Sequence, residues 1–375
     1  MTTDSLPTRL EDDIKELLPW AHGHQRKAIT TFVAAIIAKQ TGCQAELART
    51  QGNQEAALKR LSRLRHHERL KPKELAEWLC RQALSQLPRP GRVRLTMDWT
   101  SEGQQHLLVV SLVVGRRALP IFWRADDQTV LQGRMTRDEL AVVKRAFALI
   151  FQDIAPHRVR LTADRGFADA DLFAWLDAWG IRDLIRVKGD VKVELDGQWC
   201  KLNTLRFAGN TRRRHLGRIH DCESSPPRLW ITLSRARDPQ GRWGIWYLVS
   251  NTRRRAQQMA TEYGHRFCGE EGFRDAKWSL GVAEARITAI RAWSRLFALF
   301  AIALLALTSL GMRLLLHRGP QARLLLRRVA SRRRDRCELS LIAAVIALVQ
   351  QDRSLFAALS ACTKLNLEAT LSNVS

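Results

Sequence analysis

Apolar and polar residues alternate in the heptapeptide RVRLTMD at residues 92–98, and this period of two is typical of a half-buried β-strand. The heptapeptide returns at residues 158–164 as RVRLTAD, with a single substitution. Two apolar runs rich in β-branched residues, HLLVVSLVVG and RRALPIFWRA, follow the first copy and predict a hairpin around Gly115 and Arg116. A sheet is therefore expected to begin near residue 92 with a strand and a hairpin.

Helical periodicity separates these strands from the next ones. Apolar residues recur at helical spacing over Thr136–Ile154, with Thr136 as the expected N-cap. A second helix, Asp169–Trp179, is ended by Gly180 and leads into a strand, Ile181–Val187. The order of strand, hairpin, helix, strand, helix and strand predicts an α/β fold.

The rest of the chain divides into regions that differ in their pattern of apolar, polar and turn residues. Short alternating runs with turn residues predict a small antiparallel insertion, and the flanking regions are helical. The linker SQLPRPG ends the first helical region, and residues 323–336 carry seven arginines on a helix face or tether. The predicted boundaries are 1–88 for an N-terminal helical region, 89–188 and 252–317 for the two parts of a core, 189–251 for the β-rich insertion, and 318–375 for a C-terminal helical region.

The segment Leu296–Met312 is almost entirely apolar and resembles a membrane span by composition. It is at the short end of what a bilayer requires, and it lies within a strongly basic chain. We therefore expect a buried core helix and no membrane partner.

The net positive charge of the chain indicates which kind of molecule it binds. The chain has 61 Lys and Arg against 37 Asp and Glu, giving a formal net charge of +24. Such an excess steers association towards polyanions, and nucleic acid is the first candidate. The seven cysteines are odd in number, widely spaced and never in a C-x-x-C pair, and the polar, acidic first residues show no secretory signal. Both features favour a reducing cytoplasm.

The N-terminal region contains a segment, Gly42–Leu70, that resembles a helix-turn-helix. Apolar positions lie at helical spacing on both sides of a Gly-Asn break, and the second half is studded with basic residues. DNA contact by the second helix and an ordinary helical hairpin with a solvated basic face both remain open.

Each repeated heptapeptide ends on an aspartate, Asp98 in the first and Asp164 in the second. Sites in α/β sheets are built at the carboxyl ends of strands, and two parallel neighbours would bring these carboxylates side by side. Two close carboxylates repel each other unless one is protonated or a cation lies between them, and a divalent metal is the usual cation where phosphate is handled. Each aspartate alone has an ordinary interpretation as the cap of a turn after a strand.

A predicted helix over residues 261–280 supplies a third carboxylate. At about 100° per residue, one stripe of this helix collects Tyr263, Arg266, Glu270, Arg274 and Lys277. Such a stripe suits a carboxylate ligand of a metal, flanked by cations and a tyrosine that hold a phosphate backbone. It suits an exposed row of i,i+4 ion pairs equally well, and the spacing leaves both interpretations open.

The pattern Y-x2-R-x3-E-x6-K formed by four of these residues resembles the signature of DDE-type transposases of the insertion-sequence 4 family, which includes the bacterial Tn10 and Tn5 transposases. The context GEEGFRDAK around Glu270 is similar to the usual form in that family. The resemblance extends to Asp98 in LTMDWT and Asp164 in LTADRGF, where the family has the first two carboxylates of its acidic triad. It covers about residues 90–300.

The resemblance implies a ribonuclease-H-like core whose first and fourth strands are parallel neighbours that carry Asp98 and Asp164, with Glu270 on a later helix and a β-rich insertion between the second and third acids. It implies that these three carboxylates hold two Mg²⁺ ions, for which Mn²⁺ can substitute, and that the ions activate water or a DNA 3′-hydroxyl and stabilise the leaving oxygen. The residues implied to contact DNA are Tyr263, Arg266, Arg274, Lys277 and Trp246.

The hairpin intermediate that this family forms at a transposon end implies a role for a tryptophan. Relatives flip a base and stack it on a tryptophan of the insertion, which offsets part of the cost of unstacking. Trp246 in WYLVSN occupies the matching strand position, and its neighbour Trp243 remains a second candidate. Packing within a twisted sheet is the ordinary alternative for either.

Taken with the charge, the resemblance implies a cytoplasmic, cut-and-paste DNA transposase that cleaves and joins DNA at terminal inverted repeats. Joining two ends implies at least a homodimer, for which the apolar helical residues 339–367 are a candidate interface. Two alternatives stay open: a catalytically inactive DNA-binding relative, and a ribonuclease-H-like nuclease that cuts without joining.

Overall fold

The computed structural model describes residues 6–85, 91–114, 117–131, 135–195, 197–205, 213–219, 229–237, 243–316 and 340–351, with a few isolated positions between 320 and 337. Five helices come first: α1 (Leu6–Leu17), α2 (Gly23–Lys39), α3 (Gln44–Arg49), α4 (Gln54–His66) and α5 (Pro72–Ser85). The break between α3 and α4 falls at the predicted place, and the side chain of Asn53 caps α4 by accepting from the backbone N–H of Ala56.

Ten strands of the described chain form one sheet. They are β1 (Val93–Glu102), β2 (Gln105–Val114), β3 (Arg117–Asp127), β4 (Val159–Ala163), β5 (Arg182–Val187), β6 (Lys192–Leu195), β7 (Gln198–Lys201), β8 (Arg213–Ile219), β9 (Leu229–Arg237) and β10 (Trp243–Ser250). Their order across the sheet is β3-β2-β1-β4-β5-β10-β9-β8-β6-β7.

The remaining elements connect and cover the sheet. The helices are α6 (Gln128–Leu131), α7 (Met135–Ile150), α8 (Ala170–Ala178), α9 (Ala256–Gly264), α10 (Phe267–Arg274), a π-helical turn (Asp275–Ser279), α11 (Ile290–Leu316) and α12 (Leu341–Gln351). Two short strands, β11 (Arg332–Arg333) and β12 (Arg336–Cys337), form a separate ladder within the arginine-rich segment.

The first five strands have the arrangement expected of a ribonuclease-H-like core. β1, β2 and β3 form an antiparallel meander, and β4 and β5 extend it with parallel pairing from β1. The prediction that the two heptapeptides are parallel neighbours is therefore confirmed, as is the hairpin of β2 and β3. The turn residues of that hairpin, Gly115 and Arg116, lie outside the described residues.

The insertion continues this same sheet. β10 pairs antiparallel with β5, and β9, β8, β6 and β7 follow in antiparallel order. The predicted antiparallel character is confirmed for the described strands. The insertion therefore extends the edge of the core at β5.

Several predicted boundaries were wrong. β1 runs four residues beyond Asp98, because Trp99 to Glu102 continue to pair with β2, so Asp98 lies within a strand. The helix predicted from Thr136 begins at Met135 and ends at Ile150, so Thr136 lies in the first turn and is not the N-cap. Asp169 does cap α8, and Gly180 ends that segment with a positive φ of 63°.

The apolar segment Leu296–Met312 lies in the middle of α11, which is buried against the sheet and the N-terminal helices. α11 is long and apolar enough to cross a membrane by composition, but 89% of its apolar window is buried inside the protein. Core helices pass the same test, and the prediction of a buried helix is confirmed. Part of the C-terminal interface candidate forms α12, which packs on α11, and residues 352–367 lie outside the described residues.

Candidate active site

The two copies of the heptapeptide lie side by side in matched register. Val93 is paired with Val159, and the pairing continues residue by residue to Met97 and Ala163. The next residue of each copy is its aspartate. Asp98 and Asp164 therefore lie side by side, each directly after the last residue pair of this parallel ladder. The heptapeptide recurs 66 positions later because both copies occupy the same strand environment.

Two helices, α9 and α10, cross the face of the sheet that carries these carboxylates. Two glycines in the GEEG motif allow a close approach: a Cβ on Gly272 would come within 2.5 Å of the carbonyl oxygen of Ala118, and one on Gly269 would lie 3.2 Å from the Cγ2 of Thr96. This contact places Glu270 over β1. The glycines of the motif thus have a packing role beside the catalytic candidate.

The helix predicted over residues 261–280 is broken in the structure. α9 ends at Gly264, α10 begins at Phe267, and a π-helical turn follows. The predicted stripe assumed one regular α-helix, and this assumption was wrong. Arg266 and Lys277 nevertheless contact residues of β1, and Tyr263 contacts Asp164, which directly follows β4.

Tyr263 and Arg266 join the carboxylates to these helices. The hydroxyl of Tyr263 donates to Asp164 Oδ1 at 3.3 Å. Arg266 donates from Nη1 to Asp98 Oδ2 at 3.1 Å and from Nη2 to Glu270 Oε1. One buried guanidinium therefore holds two of the three carboxylates together.

Lys277 and Arg274 have different surroundings. The Nζ of Lys277 donates to the carbonyl oxygen of Ser101 at 2.7 Å and lies 3.8 Å from Glu102 Oε2. Arg274 is largely exposed and pairs with Glu271 instead of Glu270. The exposed ion-pair row proposed as an alternative is thus present only in part, since Arg266 is buried.

These groups surround an open cleft of about 400 Å³, which we call the acidic cleft. It is lined by Asp98, Trp99, Asp164, Arg266, Glu270, Phe273, Arg274, Lys277 and Trp278. All three predicted carboxylates and three of the predicted DNA-contacting residues therefore meet in one place. Tyr263 lies beneath it, fully buried.

Burial is the largest influence on the pKa values of Asp98, Tyr263 and Arg266 in and beneath the acidic cleft. Burial raises the pKa of Asp98 to about 6, and Asp164 and Glu270 add to this effect, while Arg266 and the backbone N–H of Trp99 oppose it. Burial also raises the pKa of Tyr263 well above its ordinary value, so its hydroxyl stays protonated and remains a donor. Burial alone would lower the pKa of Arg266, but the surrounding anionic groups raise it.

Trp246 and Trp243 differ in exposure and in the face of the sheet they occupy. Trp246 is half-buried, with ring centroids 5.2 Å from Tyr263 and 5.7 Å from Phe267. Trp243 is 58% exposed and lies three positions earlier on β10, so strand alternation directs it to the opposite face. Trp246 is therefore on the side of the acidic cleft, where it packs on Tyr263.

Two residues of this region were missed from the sequence. The indole N–H of Trp99 donates to Glu139 Oε1 at 2.6 Å, and burial raises the pKa of Glu139 to about 7. The signal was present, because Glu139 lies on the apolar stripe of α7, four residues before Val143. Trp278 lines the acidic cleft and is 83% exposed, next to Lys277 in the π-helical turn.

The acidic cleft has the donor chemistry of a divalent-cation site. Carboxylate oxygens are the donors that Mg²⁺ and Mn²⁺ prefer. Arg266 pairs with Asp98 and Glu270, whereas Arg274 and Lys277 lie beside Glu271 and Glu102. Within the described residues, no three His, Cys, Asp or Glu side chains are close enough together to hold an ion. Arg266 lies between Asp98 and Glu270, so the donor chemistry fits a divalent cation but the side chains would have to rearrange around it.

Comparison with known proteins gives an independent result. Residues 140–307 match the family model of the transposase DDE domain, and this match supports a DDE transposase. The matched span includes Asp164 and Glu270 and excludes Asp98, which the register of β1 and β4 places next to Asp164. No curated protein matches the chain.

Proposed function

We propose that this protein is a transposase of the insertion-sequence 4 family, similar to the Tn10 and Tn5 transposases, that binds terminal inverted repeats and catalyses metal-dependent DNA cleavage and joining in the bacterial cytoplasm. The observation that carries the proposal is the convergence of Asp98, Asp164 and Glu270 on one cleft around Arg266. The family match over residues 140–307 supports it.

Asp98, Asp164 and Glu270 are proposed to hold two Mg²⁺ ions, for which Mn²⁺ can substitute. When bound, such ions supply an activated oxygen nucleophile and stabilise the leaving oxygen of an in-line displacement at phosphorus. Arg266 holds Asp98 and Glu270 close together, and Tyr263 orients Asp164 through its hydroxyl.

DNA is proposed to enter the acidic cleft with its backbone against Lys277 and Arg274, which line one side. Trp246 is proposed to receive a flipped base in a hairpin intermediate, with Trp243 as the second candidate. The exposed outer face of α4, with Lys59, Arg60 and Arg63, is proposed to contact the terminal repeat. Synapsis of two ends requires a homodimer, and residues 339–367 are the proposed interface.

The test uses a duplex that ends in the terminal repeat taken from the DNA flanking the gene. We expect the wild-type protein to nick this duplex with Mg²⁺ or Mn²⁺, and Glu270→Gln to bind it equally but not to nick it. The matched control is Glu271→Gln, because Glu271 is the adjacent carboxylate and pairs with Arg117 and Arg274 instead. This variant should nick within about tenfold of the wild type.

The outcomes separate the proposal from its alternatives. Normal nicking by Glu270→Gln would remove the proposed triad. Binding without nicking by the wild-type protein would favour the inactive DNA-binding relative. Nicking without a joined product that carries the repeat at its 3′-end would favour the nuclease.

A further inference from the structure

A second polar pocket, which we call the arginine pocket, lies at the opposite ends of the same strands. It is an open cavity of about 480 Å³ whose cationic lining residues are Arg92, Arg94, Arg160, Arg182, Arg253 and Arg254. The other residues that line it are two threonines, two glutamines, His265 and Glu262. Every described lining residue is therefore polar, and six of the twelve are arginines.

The repeated heptapeptide builds both this pocket and the acidic cleft. Arg94 and Arg160 are direct partners in the parallel register of β1 and β4, as are the residues that precede Asp98 and Asp164. Alternation along a strand places residues i, i+2 and i+4 on one face, so each copy directs its arginine and its aspartate to the same side. Four residues at the rise of a strand separate the two sites by about 13 Å.

The arginine pocket contains an excess of cationic groups. Glu262, the one carboxylate among its described lining residues, accepts from Arg160 Nη1 at 2.9 Å and also pairs with Arg254. The Nε of Arg160 and the Nε of Arg94 are buried without a hydrogen-bond partner, and Arg160 is only 6% exposed. A buried, unpaired donor of this kind is costly unless a ligand accepts from it.

Burial and the neighbouring positive charges both lower the pKa values of arginines in this pocket. Burial lowers the pKa of Arg160, the charges of Arg92, Arg182 and Arg94 act in the same direction, and together they bring it to about 10. The pKa of Arg254 is also lowered to about 10, by burial and by the positive charges of the neighbouring arginines. Both remain protonated at neutral pH, so the pocket keeps its positive charge.

The lining favours a backbone phosphate over a small-molecule ligand. Pockets for small molecules and cofactors are mostly lined by hydrophobic and aromatic residues with a few polar groups, and the described lining here contains no aliphatic residue and no aromatic ring other than the imidazole of His265. Arginine forks with threonine and glutamine side chains are instead the groups that proteins use for DNA phosphates. The open shape also admits a continuous chain of phosphodiesters.

We propose that the arginine pocket binds backbone phosphates of a DNA strand at a position about 13 Å from the carboxylates of the acidic cleft, independently of base sequence. The inference rests on the proposed function, since it takes DNA as the substrate. It assigns Arg92, Arg94 and Arg160 of the two heptapeptides a binding role and the aspartates a catalytic one.

The test measures binding of the full-length protein to a fluorescein-labelled, random-sequence duplex in EDTA over a series of salt concentrations. The variant is Arg92→Gln combined with Arg182→Gln, because both side chains lie at the outer part of the pocket and neither pairs with Glu262. We expect the slope of log affinity against log salt to become shallower by about two, since each phosphate contact contributes about 0.9. Affinity at low salt should fall more than about tenfold.

The matched control removes two charges elsewhere, with Arg286→Gln and Arg291→Gln, which are exposed and do not line the pocket. Equal effects of the two double variants would show only a general charge effect and overturn the inference. Glu262→Gln provides a test of opposite sign, because it removes the negative charge that pairs with Arg160 and Arg254. Tighter binding with a steeper slope supports the inference, and weaker binding by a variant that melts at the wild-type temperature overturns it.

A second experiment distinguishes a DNA backbone phosphate from free inorganic phosphate as the ligand of the arginine pocket. Titration calorimetry with inorganic phosphate should show binding that the Arg92 and Arg182 substitutions weaken, together with the altered slope for DNA. Binding of inorganic phosphate with an unchanged slope for DNA would reject the DNA strand as ligand. Because EDTA prevents cleavage, these results are independent of Glu270, and the transposase proposal would survive a negative result in the pocket.

Discussion

Arg266 donates to Asp98 Oδ2 at 3.1 Å, and this contact ties the turn between α9 and α10 to the interior of β1. Its second donor reaches Glu270, which lies four residues further along the chain. A single buried guanidinium thus sets the spacing of two carboxylates that come from distant parts of the sequence. The charge balance of the acidic cleft depends on this residue.

Replacement of Arg266 by Gln should lower the free energy of unfolding by about 3 kcal/mol, because it leaves the largely buried Asp98 and the half-buried Glu270 without their cation. Arg266→Lys should recover only part of this loss, since one ammonium cannot bridge two carboxylates as a guanidinium fork does. Chemical unfolding of the three proteins without divalent ions measures the effect.

A matched control for Arg266→Gln is Arg274→Gln, which removes a mostly exposed guanidinium from the same helix and should change stability by less than about 0.5 kcal/mol. Added Mg²⁺ or Mn²⁺ should raise the melting temperature of Arg266→Gln more than that of the wild type, because the ion replaces the lost charge. Equal shifts in the two proteins would argue against the carboxylates as the ion's ligands.

Replacement of Gly272 by Ala should separate α10 from the sheet. A Cβ at this position would lie 2.5 Å from the backbone carbonyl oxygen of Ala118, and backbone cannot move aside as a flexible side chain does. We expect a loss of about 1–3 kcal/mol in stability, and a larger loss of DNA cleavage because Glu270 moves with the helix.

Gly264→Ala is the control for this substitution, since a Cβ on Gly264 would meet nothing within 4 Å. It should retain stability and cleavage. If Gly272→Ala melted at the wild-type temperature, the close approach of α10 to β3 would not be a structural requirement.

Glu139 predicts a pH dependence of stability. Burial raises its pKa to about 7, above the value near 4.5 of an unfolded glutamate. Between these values the unfolded chain releases a proton that the folded protein retains, so the contribution of Glu139 to stability is complete below about pH 4.5 and is lost as the pH rises towards 7. Glu139→Gln cannot ionise, and its amide oxygen can still accept from Trp99.

We therefore expect Glu139→Gln to gain stability relative to the wild type, by up to about 3 kcal/mol, as the pH rises from about 4.5 to about 7.5. Chemical unfolding at several pH values measures the difference. Glu55→Gln, at an exposed position, should show no such trend. A difference between wild type and Glu139→Gln that is constant with pH would contradict a buried, neutral Glu139.

The parts of the fold that could be predicted were those set by local pattern. The alternation in the two heptapeptides predicted two strands, and the resemblance implied that they are parallel neighbours; the structure pairs them in matched register. The extension of β1 past Asp98 could not be predicted, because Trp99-Thr100-Ser101-Glu102 has no strand alternation and is held by pairing with β2. Tertiary pairing here overrides local sequence preference.

The candidate site shows the same division between local and long-range information. Tyr263, Arg266 and Glu270 were identified by spacing, but spacing on one ideal helix also placed Arg274 beside Glu270, and the structure pairs it with Glu271. The sequence presented the arginines of the arginine pocket only as net charge. Their convergence required the register of β1 with β4 and the position of α9, which are properties of the folded chain.

Trp278 and Trp246 should respond differently to truncation. Trp278 is 83% exposed at the rim of the acidic cleft, so Trp278→Ala should change the free energy of unfolding by less than about 0.5 kcal/mol. Trp246 packs against Tyr263 and Phe267, so Trp246→Ala should cost about 2 kcal/mol or more. Thermal or chemical unfolding separates the two.

For DNA, an exposed indole beside Lys277 is suited to stack on an unpaired base, and loss of such a stack typically costs about 1–3 kcal/mol. Trp278→Ala should therefore weaken binding to a duplex with unpaired bases at the cleavage position by about tenfold, and leave binding to the fully paired duplex unchanged. If Trp246 is the stacking residue, Trp246→Ala should slow hairpin formation more than first nicking, while Trp278→Ala should slow neither. Equal slowing of both steps by Trp246→Ala would indicate that Trp246 only packs within the protein and does not stack on a base.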